Sequence, residues 1–154
     1  METLLERTLH LTPDDQRKNV LLPFEVPHDF DRLEITCMYT PKYITEPNAV
    51  KAAVADCFQR YLLPEQRPAE IDPAKYRLSN LLTLSLDCGS RYLGAAHRQA
   101  PEQTHIISSS FASPGFWRTP VCAGTWRAVI NVHALAAGAV DYTLRIVGKE
   151  ADET

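Results

Sequence analysis

The chain has 154 residues, a length that suits one domain and leaves no room for a two-domain enzyme. Hydrophobic residues make up 45% of it, so a core can form without disulfide or metal staples. Sixteen basic against nineteen acidic residues give a formal charge of −3 with no basic block, which argues against nucleic acid as a partner.

In chain order, Met1 to Arg7 has acidic residues where a secretion signal needs basic ones and no apolar run behind them. No stretch reaches the roughly 20 apolar residues that span a bilayer, and neither end carries a lipidation motif. The expectation is a cytoplasmic protein with no membrane partner. Leu5 to Leu11 reads as a strand, and Val20, Leu22, Phe24 and Val26 alternate as the core face of the next. After the turn Pro27-His28-Asp29, a second alternation runs through Leu33, Ile35, Cys37 and Tyr39, so the two series form a hairpin or a corner.

The rhythm then changes. Val50, Val54, Cys57, Phe58, Tyr61 and Leu62 fall at helical spacing, with Lys51, Asp56, Gln59 and Arg60 on other faces. Pro47 suits a first helical turn and Pro64 a stop, which predicts one helix over about 47–63. The charged, three-proline stretch Pro64 to Pro73 cannot join a sheet ladder, so 46–76 reads as a helical insertion with its connection. Leu82, Leu84 and Leu86 resume the strand rhythm up to the turn cluster Asp87-Cys88-Gly89-Ser90. Arg91 to Ala96 and Thr104 to Ser110 are further strands. Trp126, Ala128, Ile130 and Val132 make another, Gly138 breaks the chain, and Val140, Tyr142, Leu144 and Ile146 make the last. Residues 149–154 are polar and read as a frayed tail.

Many short strands, turn residues between them and one helix predict an all-β fold: a two-sheet antiparallel β-sandwich, jelly-roll-like, of about eight strands, occupying 1–148 as a single domain. A closed barrel is the alternative. No repeat at solenoid or propeller period is visible.

The signals for chemistry are sparse. His10, His28, His97, His105 and His133 are scattered, with no HxH, HExxH or Cys-His spacing to fix a metal. Asp14-Asp15 and Asp29 with Asp31 sit in turns, where Asp binds local backbone amides, and no calcium-loop run contains them. Ser108-Ser109-Ser110 lacks the Gly-x-Ser-x-Gly surroundings of a nucleophile and reads as a strand edge. Six glycines form no phosphate loop, so no nucleotide cofactor is expected. Cys37, Cys57, Cys88 and Cys122 contain no CxxC and are expected to be four free structural thiols.

The stretch Ala112-Ser113-Pro114-Gly115-Phe116-Trp117-Arg118-Thr119-Pro120-Val121-Cys122-Ala123-Gly124-Thr125-Trp126 resembles a motif of the β-sandwich domain that precedes the catalytic domain in PHP-type, carbaryl-hydrolase-like metallophosphoesterases. That motif runs Ala-Thr-Pro-Gly-Tyr, a short Pro/Gly segment, then Pro-Gly-Thr-Trp. Phe24-Glu25-Val26-Pro27, Leu33 to Tyr39, Leu84 to Asp87 with Gly89 and Gly94, and Val140 to Leu144 are similar to its flanking strands, so the likeness covers about 19–148. Thr119 stands for the family's second glycine and Ala123 for its proline, while Trp117 and Arg118 replace smaller or cyclic residues. The family's metal-binding histidines and carboxylates belong to the catalytic domain, which would begin where this sequence stops. The resemblance therefore implies an accessory sandwich with no catalytic residues and no metal or other cofactor, its partner being a separately encoded PHP-type phosphoesterase or a second copy of itself.

Within the motif, Pro114, Gly115, Gly124 and Trp126 read as architecture: a turn pair, a flexible entry to a strand, and a ring for the interior. Phe116, Trp117 and Arg118 carry the one candidate contact. Trp117 is expected to plug one end of the sandwich; the alternative is that the three residues contact a partner or a small ligand such as a carbohydrate.

Overall fold

The apolar alternation resolves into two sheets in the computed structural model, which describes residues 1–97 and 100–153. The strands are β1 (Glu2–Leu11), β2 (Lys18–Val26), β3 (Arg32–Thr40), β4 (Tyr43–Ile44), β5 (Leu78–Cys88), β6 (Arg91–Ala96), β7 (Glu102–Ser108), β8 (Gly124–Leu135) and β9 (Val140–Lys149), with one helix, α1 (Pro47–Tyr61). One sheet has the order β1-β9-β3-β7. The other has the order β2-β8-β5, with β4 and β6 pairing successive stretches of β5. All pairings are antiparallel, and the order is that of a jelly roll, two Greek keys folded into a sandwich. β2 and β3 lie in different sheets, so Pro27-His28-Asp29 is a corner and not a hairpin turn. A two-residue strand such as β4 has no alternation to announce it.

Register follows from the buried rows. Ile35 of β3 faces Ile146 on one side and His105 on the other, and Leu84 of β5 faces Ile130, all of them fully buried. A one-residue slip would put these side chains in water. Trp126 is 1% exposed, beside Phe24 with ring centroids 6.5 Å apart, and its burial is worth about 2–3 kcal/mol.

The helix is capped by Glu46, whose carboxylate accepts from the amides of Asn48 (3.0 Å) and Ala49 (2.6 Å). It ends at Tyr61, two residues before the expected 63, because Leu63 precedes Pro64 and a residue before proline is kept out of the helical region. Val50 and Val54 are buried, and Phe58 meets Tyr76 edge-on at 6.1 Å, so the helix packs on its own returning connection. Cys57 and Tyr61 belong to the same sequence stripe but point to solvent. The expected face is therefore wider than the surface available to cover it.

The tail expected to fray over 149–154 does not do so in its described part. Lys149 closes β9 and is buried, and 150–153 form a turn in which Asp31 accepts from the Ala151 amide and Glu153 from the Glu150 amide at 2.8 Å. Polar composition here reflects charge pairing. On the outer face of the first sheet, Glu34 accepts from Lys149 Nζ at 2.8 Å and Arg32 Nε at 3.1 Å. The Lys149 hydrogen bond first, and then Arg32, hold the Glu34 carboxyl below the usual carboxylate range. A depressed pKa gives stability that is present above the ordinary carboxylate pKa and is lost as pH falls through the depressed one. Denaturant melts of Glu34→Gln from neutral to strongly acid pH should therefore converge on the wild type as pH falls; a gap that stays constant would show that the pair contributes nothing.

Candidate functional site

The long segment between β7 and β8 runs from the edge of one sheet to the edge of the other and joins them by backbone. On the β7 side, Ser108 N–H donates to Phe111 O (2.7 Å), Ser113 N–H to Ile106 O (2.9 Å) and Ile106 N–H to Ser113 Oγ (2.9 Å). On the β6 side, Ala95 N–H donates to Gly115 O (3.0 Å) and Trp117 N–H to Leu93 O (2.9 Å). The Phe111 amide also donates to Ser108 Oγ, and Thr119 N–H closes the loop on Ser108 O at 2.9 Å. The segment thus forms a seam along one flank of the sandwich.

Its close approach depends on two glycines. Gly115 (φ 97°) and Gly94 (φ 114°) lie back to back: a Cβ on Gly94 would stand 2.0 Å from Gly115 O, and one on Gly115 would stand 2.2 Å from Ala95 O. The Pro114-Gly115 pair is therefore more than a turn, since backbone sits where a side chain would go. Gly124 (φ 141°) lets the chain enter β8, and Trp126 Nε1–H donates to Cys122 O at 3.0 Å, pinning the far end of the seam.

The three residues singled out in the sequence separate. Phe116 turns inward, packs on the core and meets the buried His105 ring edge-on at 5.3 Å. His105 in turn donates from Nε2 to Gln103 Oε1 at 2.8 Å, and Gln103 donates to Ala100 O at 2.7 Å. Trp117 points outward and is 67% exposed, so the expectation that it plugs the sandwich is wrong; Phe116 fills that place because its register partner, Gly94, faces the core. Arg118 is also exposed. Thr119 is buried and donates from Oγ1 to Trp117 O at 3.0 Å, bracing the tryptophan backbone.

A second aromatic joins Trp117. Phe111 is 54% exposed and, with Ser110, Ala112, Phe116, Trp117 and Arg118, lines an open hollow of about 300 Å³. Alternation gives no hint of Phe111. The signal was an aromatic stranded in a Ser- and Pro-rich turn, where no core row continues to receive it.

The other candidates disperse. His10 pairs with Asp141 (2.9 Å), His28 contacts Glu2 (3.2 Å) and the Asp29 carbonyl, and His133 contacts Thr83 Oγ1 (2.7 Å). The Asp29 hydrogen bond, countered in part by desolvation and aided by Glu2, raises the His28 pKa. Asp15 accepts from Thr12 N–H within its own turn, whereas Asp29 accepts from Ala123 N–H across the corner. The four cysteines are free, but only Cys37 is fully buried; Cys57 and Cys122 are exposed. Burial pushes the Cys37 thiol and the Tyr142 phenol upward. Among the described residues no group of three His, Cys, Asp or Glu is placed to hold a metal ion, and no helix is long and apolar enough to cross a membrane. A wider hollow of about 1020 Å³ lies between α1 and its returning connection, lined by charged residues such as Lys51, Glu70, Asp72 and Lys75 and by apolar ones such as Ala52 and Ile71. No protein-family model matches the chain, and no curated protein matches it.

Two measurements check this geometry. Gly94→Ala should lower stability by about 3 kcal/mol in urea unfolding, against about 1 kcal/mol for Gly89→Ala, whose positive φ faces open space. Equal losses at the two sites would remove the close approach from the account. Iodide should quench the emission of Trp117 and spare that of Trp126, so Trp117→Phe protein should retain only blue-shifted, unquenched fluorescence; a strongly quenched residue in that variant would place Trp126 at the surface instead.

Proposed function

We propose that the protein is a non-catalytic accessory module whose seam loop is a recognition surface for a partner protein. One observation carries the reading: Trp117 and Phe111 stand 67% and 54% exposed on a segment whose backbone is tied to both sheets. Covering rings of this size is worth about 2–3 kcal/mol each, and a braced loop loses little further entropy when they are covered. Aromatic and arginine side chains are the usual anchors of such contacts.

The motif likeness favours a PHP-type phosphoesterase as the partner, with a second copy of the chain as the alternative. A cytoplasmic setting accords with four unpaired cysteines. A small-ligand reading has one point in its favour, the hollow of about 300 Å³ with two rings and the Ser110 hydroxyl on its wall, a size at the low end for such sites.

Affinity capture from the cell of origin, with wild type and a Phe111→Ala/Trp117→Ala double variant, tests the proposal. The expected result is one recurrent partner retained by the wild type, self-association included, and lost by a double variant that melts at the same temperature. Retention of the same partner by that variant would move recognition elsewhere. Turnover of phosphate esters by the chain alone with Mn²⁺, Zn²⁺ or Fe²⁺ would contradict the non-catalytic reading.

A further inference from the structure

The sequence on either side of the exposed rings is poor in acidic residues. From Cys88 to Val140 the sequence contains four arginines (Arg91, Arg98, Arg118 and Arg127) and one acidic residue, Glu102, while the rest of the chain holds twelve basic and eighteen acidic residues. That stretch of sequence carries net +3, against net −6 for the rest of the chain. Arg127 is already engaged, donating to Asp87 Oδ2 from Nε (2.9 Å) and Nη2 (2.7 Å), which also neutralises the nearest β5 carboxylate. Arg118 and Arg91 are exposed and make no hydrogen bond or ion pair among the described residues. Arg118 follows Trp117 directly. Arg91 lies on β6, the strand whose Leu93 carbonyl receives the Trp117 amide, and its neighbour Tyr92 is 58% exposed.

We propose that this face docks an extended acidic segment of the partner protein, seating one apolar side chain in the hollow lined by Phe111 and Trp117 and a neighbouring carboxylate on Arg118. The inference rests on the recognition reading above and adds the chemistry of the occupant. A free guanidinium beside two rings matches a carboxylate next to an apolar group, because Arg binds carboxylates through paired N–H donors while the rings take the hydrocarbon. A neutral glycan would leave both guanidinium groups without a counter-charge. A nucleic acid strand would gain few phosphate contacts from two unpaired arginines while approaching a chain of net negative charge.

Selection of a random-peptide display library on the immobilised full chain tests this, with the Phe111→Ala/Trp117→Ala variant used to remove peptides that bind elsewhere. The expected winners carry Asp or Glu next to Trp, Phe or Leu. In fluorescence anisotropy they should weaken roughly 30-fold with Trp117→Ala and roughly tenfold with Arg118→Glu, and weaken as salt rises. Lys-for-Glu versions of the winners should regain affinity for Arg118→Glu protein. Winners that need Trp117 but are neutral, or that bind Arg118→Glu protein unchanged, would overturn the acidic occupant and leave the recognition surface standing. No winner depending on Phe111 or Trp117 would overturn both. An oligouridylate that binds through Trp117 more tightly than any peptide would replace the acidic segment with nucleic acid.

Discussion

The two sheets are held along one flank by backbone rather than by interdigitated side chains, and the rest of the surface depends on that contact. Gly94 and Gly115 give up side chains so that the seam can hydrogen-bond to β6 while its earlier residues hydrogen-bond to β7. A segment bound at both sides has few ways to rearrange, so the backbone beneath its outward residues is held even though their rings are mostly exposed. Buried support comes from beneath, where Phe116 leans on His105 and a hydrogen bond from the His105 ring to Gln103 links two buried polar side chains.

The opposite flank shows what this sandwich does with an edge that has no seam. β1 and β2 are the outer strands there, and each carries devices that discourage pairing with another chain. Arg7 occupies a core-row position of β1, opposite the buried Leu144, yet is exposed, so an incoming strand would meet an inward charge. Pro23 lacks an amide hydrogen in the middle of β2, and Lys18 opens that strand. The edges are guarded by charge and proline, whereas the seam displays two unguarded rings.

How far the sequence foretold this follows from which interactions are local. Alternation in β2, β3, β5, β8 and β9 repeats every second residue, so the strands and their core faces were legible, as was the helix from its proline boundaries; whether Pro27-His28-Asp29 makes a hairpin or a corner was not, because that depends on which sheet each strand joins. The buried Trp126 was legible for the same reason, being the first core residue of its row. The direction of Trp117 was not, because it depends on Gly94, more than twenty residues earlier, taking the inward place opposite Phe116. Phe111 was missed since its exposure is set by the turn that Ser108 closes, not by a row. The ties from Arg32 to the Glu150 carbonyl and from the Ala151 amide to Asp31 cross the corner, a pairing that local polarity conceals.

Thr119 shows how the seam trades one solution for another. A glycine at that position would let the backbone turn freely, but, lacking the hydroxyl, it could not donate to the Trp117 carbonyl, and the free turn would loosen the exposed Trp117. The buried threonine does the reverse: its amide returns to Ser108 O, its hydroxyl takes the Trp117 carbonyl, and both ends of the Trp117-Arg118 pair are thereby fixed.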